Sequence, residues 1–117
     1  MLNLFKTNKI SAKYKYSTIK NPDTLITAIK SLNSVIKHSV NKKIITIVPL
    51  KQIYLGSLPR EKYNGVQIQY DNGDISDIKC SNISIGVIMW YYDIDNPKFT
   101  SYIDYNTKYY IIKSLRE

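Results

Sequence analysis

Polar and apolar positions alternate most cleanly near the start of the chain. Between Ile10 and Thr18, Ile10, Ala12, Tyr14, Tyr16 and Thr18 share one face, and Ser11, Lys13, Lys15 and Ser17 share the other. That period of two is the signature of a half-buried strand, with Lys13 and Lys15 side by side in solvent. The period then changes. Leu25, Ile26, Ile29, Leu32, Val35, Ile36 and Val40 recur at steps of three and four, which predicts a helix over about 22–40 with one apolar stripe. Asn21 suits its cap, Pro22 its first position and Asp23 the positive end of its dipole. Lys30 and Lys37 fall on the opposite, outer face. Lys37, His38, Lys42 and Lys43 gather at the C-terminal end, where positive charge offsets exposed carbonyls by about 0.3–1 kcal/mol each.

Beyond the helix the pattern predicts strands. Lys43–Val48 is rich in Ile and Val on both faces, as a central strand would be, and Pro49 ends or bulges it. Leu50–Leu55 continues it or forms a second short strand, and Gly56–Lys62, with Pro59 inside, reads as a loop. Val66, Ile68 and Tyr70 alternate with Gln67 and Gln69. Asp71-Asn72-Gly73-Asp74 then turns the chain into Ile75–Cys80, a hairpin signal. Ile83–Tyr92 reads as a long strand with Ile83, Ile85, Val87, Met89 and Tyr91 on one face and Ile88, Trp90 and Tyr92 on the other. Asp95-Asn96-Pro97 marks a turn. Phe99–Tyr105 and Lys108–Leu115 supply the last two strands, the final one able to end helically. The expected fold is a single α+β domain over 1–117. It has one helix packed on a curved, mainly antiparallel sheet of five to seven strands, in the order β-α-β-β-β-β-β.

Charge divides this chain sharply. Residues 1–51 carry ten lysines and one acid, Asp23, a net of +9; residues 52–117 carry seven basic and eight acidic side chains, a net of −1. The basic half points to an anionic partner. Codon composition accounts for part of this, because Ile, Lys, Asn and Tyr can all be encoded with A and T alone. It does not explain why acids are scarce only before Lys51. A length of 117 residues fits one domain with a real core. The single Cys80 excludes an internal disulfide framework and a cysteine-based zinc site. Met1–Phe5 is too short, and too soon followed by Lys6, to be a secretory leader, and no apolar run reaches transmembrane length. A soluble, cytoplasmic protein with no membrane partner is expected.

Catalytic groupings are sparse. His38 is the only histidine, in the last turn of the helix, where a dipole or surface role serves it better than general base catalysis. Cys80 lacks neighbours that would activate a thiolate. Glycine-rich phosphate loops and nucleophile elbows are absent. Asp71, Asp74 and Asp77 have the wrong spacing for a calcium loop, and hairpin chemistry accounts for the first of them. Arg60-Glu61-Lys62-Tyr63 carries the residue types of a metal-free nuclease, and is equally ordinary loop composition. No enzyme activity, cofactor or metal is therefore expected.

Binding remains. Lysines neutralise phosphates without reading sequence, whereas base readout favours arginine, of which there are only Arg60 and Arg116. The candidate contacts to nucleic acid or to an acidic protein surface are Lys13, Lys15, Lys30, Lys37, Lys42 and Lys43. They divide between the open side of the sheet and the outer side of the helix, with Lys42 and Lys43 at the junction. Eleven tyrosines offer stacking surfaces, although Tyr14 and Tyr16 face away from Lys13 and Lys15. The leading expectation is a small non-enzymatic basic protein that contacts nucleic acid mainly through backbone phosphates. The alternative is an inhibitor or immunity-type protein, of the kind found in phages, viruses, mobile elements and toxin systems, that blocks a protein partner. An exposed strand edge offers a route to that partner or to a homodimer.

Overall fold

The computed structural model describes residues 21–52 and 62–116. Their order is α1 (Pro22–His38), β1 (Ile44–Gln52), β2 (Lys62–Tyr70), β3 (Ile75–Lys79), α2 (Asn82–Tyr91), α3 (Pro97–Thr100) and α4 (Tyr105–Arg116). The strand expected over Ile10–Thr18, with Lys13 and Lys15, lies outside the described residues, as does nearly all of the loop expected from Gly56 to Lys62.

α1 forms where the three-and-four spacing places it. The Asn21 side chain accepts a hydrogen bond from the Asp23 N–H at 2.9 Å, and Pro22 opens the helix. Leu25, Ala28, Ile29, Leu32 and Val35 are buried, while Lys30, Lys37 and His38 stay in water. Ser39 ends it: its N–H reaches the Val35 and Ile36 carbonyls, and its hydroxyl donates to Val35 O at 2.8 Å. Asn41 then adopts φ 62° in a tight turn closed by Lys42 N–H to Ser39 O. Asparagine tolerates that left-handed geometry better than most residues.

The sheet among the described residues is an antiparallel meander, β1-β2-β3, with β2 in the centre. β1, whose composition suits a central strand, lies at one side of the sheet among the described residues. That placement accommodates Pro49, which cannot donate to a ladder and is tolerated at edges. Register shifts flank Ile45 and follow Leu50; the first leaves Ile45 unpaired and 65% exposed. Ile47, Ile68, Val66 and Tyr70 point into the core. Gln67 and Gln69 share the other face and are joined by a 3.1 Å side-chain bond. The β2–β3 turn follows its sequence: Gly73 takes φ 90°, and the Asn72 side chain accepts from the Asp74 N–H at 2.9 Å.

The expectation of five to seven strands is overturned by the last third of the chain. Ile83–Tyr92, Phe99–Tyr105 and Lys108–Leu115 were assigned to strands; α2, α3 and α4 occupy those stretches, and the described sheet has three strands. The result is an α+β architecture with several helices. An unbroken apolar run satisfies a period of two and a period of 3.6 alike, so α2 could be read either way. Its environment decides. Every residue from Ser84 to Met89 is buried, and a helix that is apolar all round belongs inside. In α4 the buried positions Thr107, Tyr110, Ile111 and Ser114 step by three and four. Phe99 and Ile103 are buried four residues apart, bracketing the turn after α3.

Caps fix the ends of these helices. Ser81 Oγ accepts from the Ser84 N–H at 3.3 Å, and Asp104 accepts from the Thr107 N–H at 2.9 Å. Pro97 starts α3. α2 ends in a Schellman arrangement: Ile94 N–H bonds Met89 O, Asp93 N–H bonds Trp90 O, and Asp93 sits at φ 59°.

α1 packs along α2, and α2 rather than α1 lies on the central strand β2. α3 closes tightly on α2: a Cβ at Gly86 would collide with the Phe99 carbonyl oxygen. Among the described residues, the buried Tyr110 hydroxyl has no hydrogen-bond partner. Among the described residues, no helix is long and apolar enough to cross a membrane.

Candidate functional site

The charged side chains singled out in the sequence meet the fold at the C-terminal end of α1. Lys30 and Lys37 lie seven residues apart on its exposed side, about 10 Å along the axis. Lys42 and Lys43 follow the Asn41 turn and are also exposed. Lys37, Lys42 and Lys43 thus come to one end of the molecule, Lys30 stands two turns away, and Lys13 and Lys15 lie outside the described residues. No ion pair to Lys30, Lys37, Lys42 or Lys43 forms among the described residues.

This basic end has a floor. Ile36, Ser39, Val40, Lys42, Ile44, Tyr91 and Tyr92 line an open groove of about 450 Å³. Tyr70 anchors it from the sheet: its hydroxyl donates to His38 O at 3.3 Å and lies 3.4 Å from Ser39 Oγ. Lys42 Nζ sits 4.9 Å from the centre of the Tyr70 ring, a cation–π contact that orients the ammonium. Tyr91 and Tyr92 pack edge to face at 5.1 Å. Burial pushes the Tyr92 hydroxyl above the usual phenol range and Tyr91 adds to the effect, while a hydrogen bond with Ser39 pulls the other way. Tyr92 is therefore a neutral hydrogen-bonding wall and not an added negative charge.

One feature tempers the positive field. The Lys43 carbonyl accepts from the Asp71 N–H at 3.0 Å, which brings the acidic β2–β3 turn alongside Lys43. His38 spends one ring nitrogen locally. Nδ1 lies 2.7 Å from Ser34 O, and since a carbonyl only accepts, Nδ1 carries the proton and Nε2 faces solvent. Lys42 and Lys37 are thus the best placed cations.

A second basic surface lies on α4, hidden from a strand pattern over Lys108–Leu115 because its residues align only at helical spacing. Tyr105 and Tyr109 are 81% and 47% exposed, and Lys113 Nζ lies 6.0 Å from the Tyr109 ring centre. A third Lys–Tyr contact joins Lys98 to Tyr63 at 4.6 Å. The cue that could have found α4 is Asp104, a capping residue three before Thr107, ahead of a three-and-four apolar spacing.

Catalytic arrangements are lacking at the groove. His38 has no nucleophile or acid bonded to it, and burial raises the Cys80 thiol to about 11. Among the described residues no three His, Cys, Asp or Glu side chains converge as metal ligands would. No family model, curated protein or solved structure matches the chain.

Proposed function

We propose that the protein is a small, non-enzymatic basic binding protein that contacts nucleic acid mainly through backbone phosphates, with Lys42 and Lys37 as principal contacts and Lys43 as a weaker one. The observation that carries this reading is Lys42 in the wall of a tyrosine-lined groove, with Lys37 and Lys43 exposed at the same end of α1 and without ion pairs among the described residues. A point charge on a flexible stem suits phosphate and carries no base preference. The tyrosine walls give an attached strand an apolar surface beside its phosphates.

Three lysine contacts imply a log–log slope of affinity against salt of roughly −2 to −3. Lys42→Ala and Lys37→Ala each reduce that slope by about one, and Lys43→Ala by less because Asp71 is adjacent. Undetectable binding to single- and double-stranded DNA and RNA at low salt removes the proposal. A second reading, an inhibitor or immunity-type protein, draws on the apolar side of the same groove, Ile36, Val40 and Ile44, and on β1 and β3, the outer strands among the described residues. Under it, affinity capture from native cells yields one stoichiometric protein partner that survives nuclease treatment and moderate salt.

A further inference from the structure

α4 divides into two faces. Thr107, Tyr110, Ile111 and Ser114 are buried, and on the opposite side, at helical spacing, stand Tyr105, Tyr109, Ile112, Lys113 and Arg116. Tyr109, Ile112, Lys113 and Arg116 line a hollow of about 370 Å³. Among the described residues, no acid belongs to this face. Asp104 is engaged in capping the helix. Lys108 turns to one side, into a separate hollow with Asp93 and Asp95. A tyrosine that is 81% exposed contributes nothing to the core, and a row of such rings beside two cations is a surface built to be met.

We propose that this face of α4 is a stacking platform for unpaired bases of single-stranded nucleic acid, with Lys113 and Arg116 on the adjoining phosphates. The inference rests on the nucleic-acid reading above and narrows it to strands whose bases are free. Four residues of helix separate Tyr105 from Tyr109 by about 6 Å along the axis. Bases in a duplex repeat every ~3.4 Å and hide their faces in the stack. Two rings at the wider spacing serve two bases only when the strand is drawn out and unstacked. The lysine near Tyr109 strengthens the match, since a phosphate held by Lys113 brings its own base to that ring. Tyrosine also suits protein interfaces, but lysine is depleted there, and a face with two cations and no acid complements a polyanion better.

Fluorescence anisotropy with labelled single-stranded DNA and RNA of about 15 nucleotides, against duplexes of equal length, tests the idea. Single strands bind at least about tenfold more tightly than duplex. Tyr105→Ala with Tyr109→Ala lowers single-strand affinity roughly 10- to 100-fold and leaves duplex affinity within about twofold. Tyr105→Phe with Tyr109→Phe retains binding, because stacking needs the ring and not the hydroxyl. Circular dichroism checks the fold of each variant; if the double alanine variant is unfolded, Tyr105→Ala alone is the measure, with a single-strand loss of about 5-fold or more expected. Equal affinity for single strand and duplex, untouched by the tyrosine changes but weakened by Lys42→Ala, overturns the stacking platform and leaves the phosphate reading standing. No binding of any nucleic acid by the parent overturns both. Loss, in the alanine variant, of a nuclease-resistant protein partner held by the parent overturns the platform in favour of a protein interface.

Discussion

α1 gathers its apolar side chains on one stripe and keeps Lys30, Lys37 and His38 in water, whereas α2 has no wet side between Ser84 and Met89. Both are capped helices of the same core, yet their sequences obey different constraints. α1 needs alternation of character every three or four residues, and its free face is available for charge. α2 needs mainly to be apolar and slim enough to pack against α1, α3 and β2, and its outward chemistry is confined to its ends, where Tyr91 walls the groove. Among the described residues, outward chemistry therefore sits chiefly on α1, on α4 and on the turns, while α2 serves mainly as packing.

The contrast is broken or sharpened most forcefully by substitution scanning in urea. Gly86→Val drives a branched side chain into the Phe99 carbonyl, and a loss of about 3 kcal/mol or more is expected. Ile85→Ala and Val87→Ala, on opposite sides of α2, each cost about 2 kcal/mol or more. On α1 the same cost is confined to the buried stripe, as at Ile29→Ala and Leu32→Ala, while Lys30→Ala and Lys37→Ala stay within about 0.5 kcal/mol. If Ile85 and Val87 differ as strongly as Ile29 and Lys30 do, α2 has an exposed side and the contrast fails.

Caps give a smaller separation. Asn21→Ala and Ser81→Ala each remove a side-chain acceptor, for about 0.5–2 kcal/mol. Ser81→Ala is expected at the upper end, because its hydroxyl also lies 3.1 Å from that of the buried Ser84. A larger loss at Asn21 would reverse the ranking of the two helix starts.

The smallest effect lies just before α2. Burial raises the Cys80 thiol from 9.0 to about 11, which favours the protonated form in the folded state. Stability from this group is complete below the unfolded value and is lost as pH rises from about 9 through about 11. Cys80→Ser flattens that part of the profile. At pH 8 the thiolate fraction is about a hundredfold below that of a free cysteine, and labelling by a disulfide reagent should slow accordingly. Labelling at the free-thiol rate would show the entry to α2 to be open.

Sequence patterning gave α1 almost to the residue, the hairpin turn at Asp71–Asp74, and the exposure of Lys30, Lys37, Lys42 and Lys43. These are local matters: a stripe, a turn chemistry, a charged side chain that stays in water. α2 was lost because ten nearly uniform apolar residues carry no phase, so strand and helix differ only in what surrounds them. The capping residues Ser81, Asn96-Pro97 and Asp104 were nonetheless present and pointed to helix. The groove was not legible at all, since Tyr70, Tyr91 and Tyr92 reach Lys42 only through the packing of β2 and α2 beside α1. With α4 misassigned, the alignment of Tyr105, Tyr109, Lys113 and Arg116 was invisible too.

The partnerless hydroxyl of Tyr110 bears on how this composition arose. Phenylalanine would fill the same space without leaving a buried donor unsatisfied, a saving of about 1–3 kcal/mol. Both amino acids have a codon built wholly from A and T, so nucleotide composition makes no distinction between them. Yet the chain holds eleven tyrosines and two phenylalanines. Base composition can account for aromatic rings here; it cannot account for their oxygens. At Tyr110 the core carries that preference at its own expense.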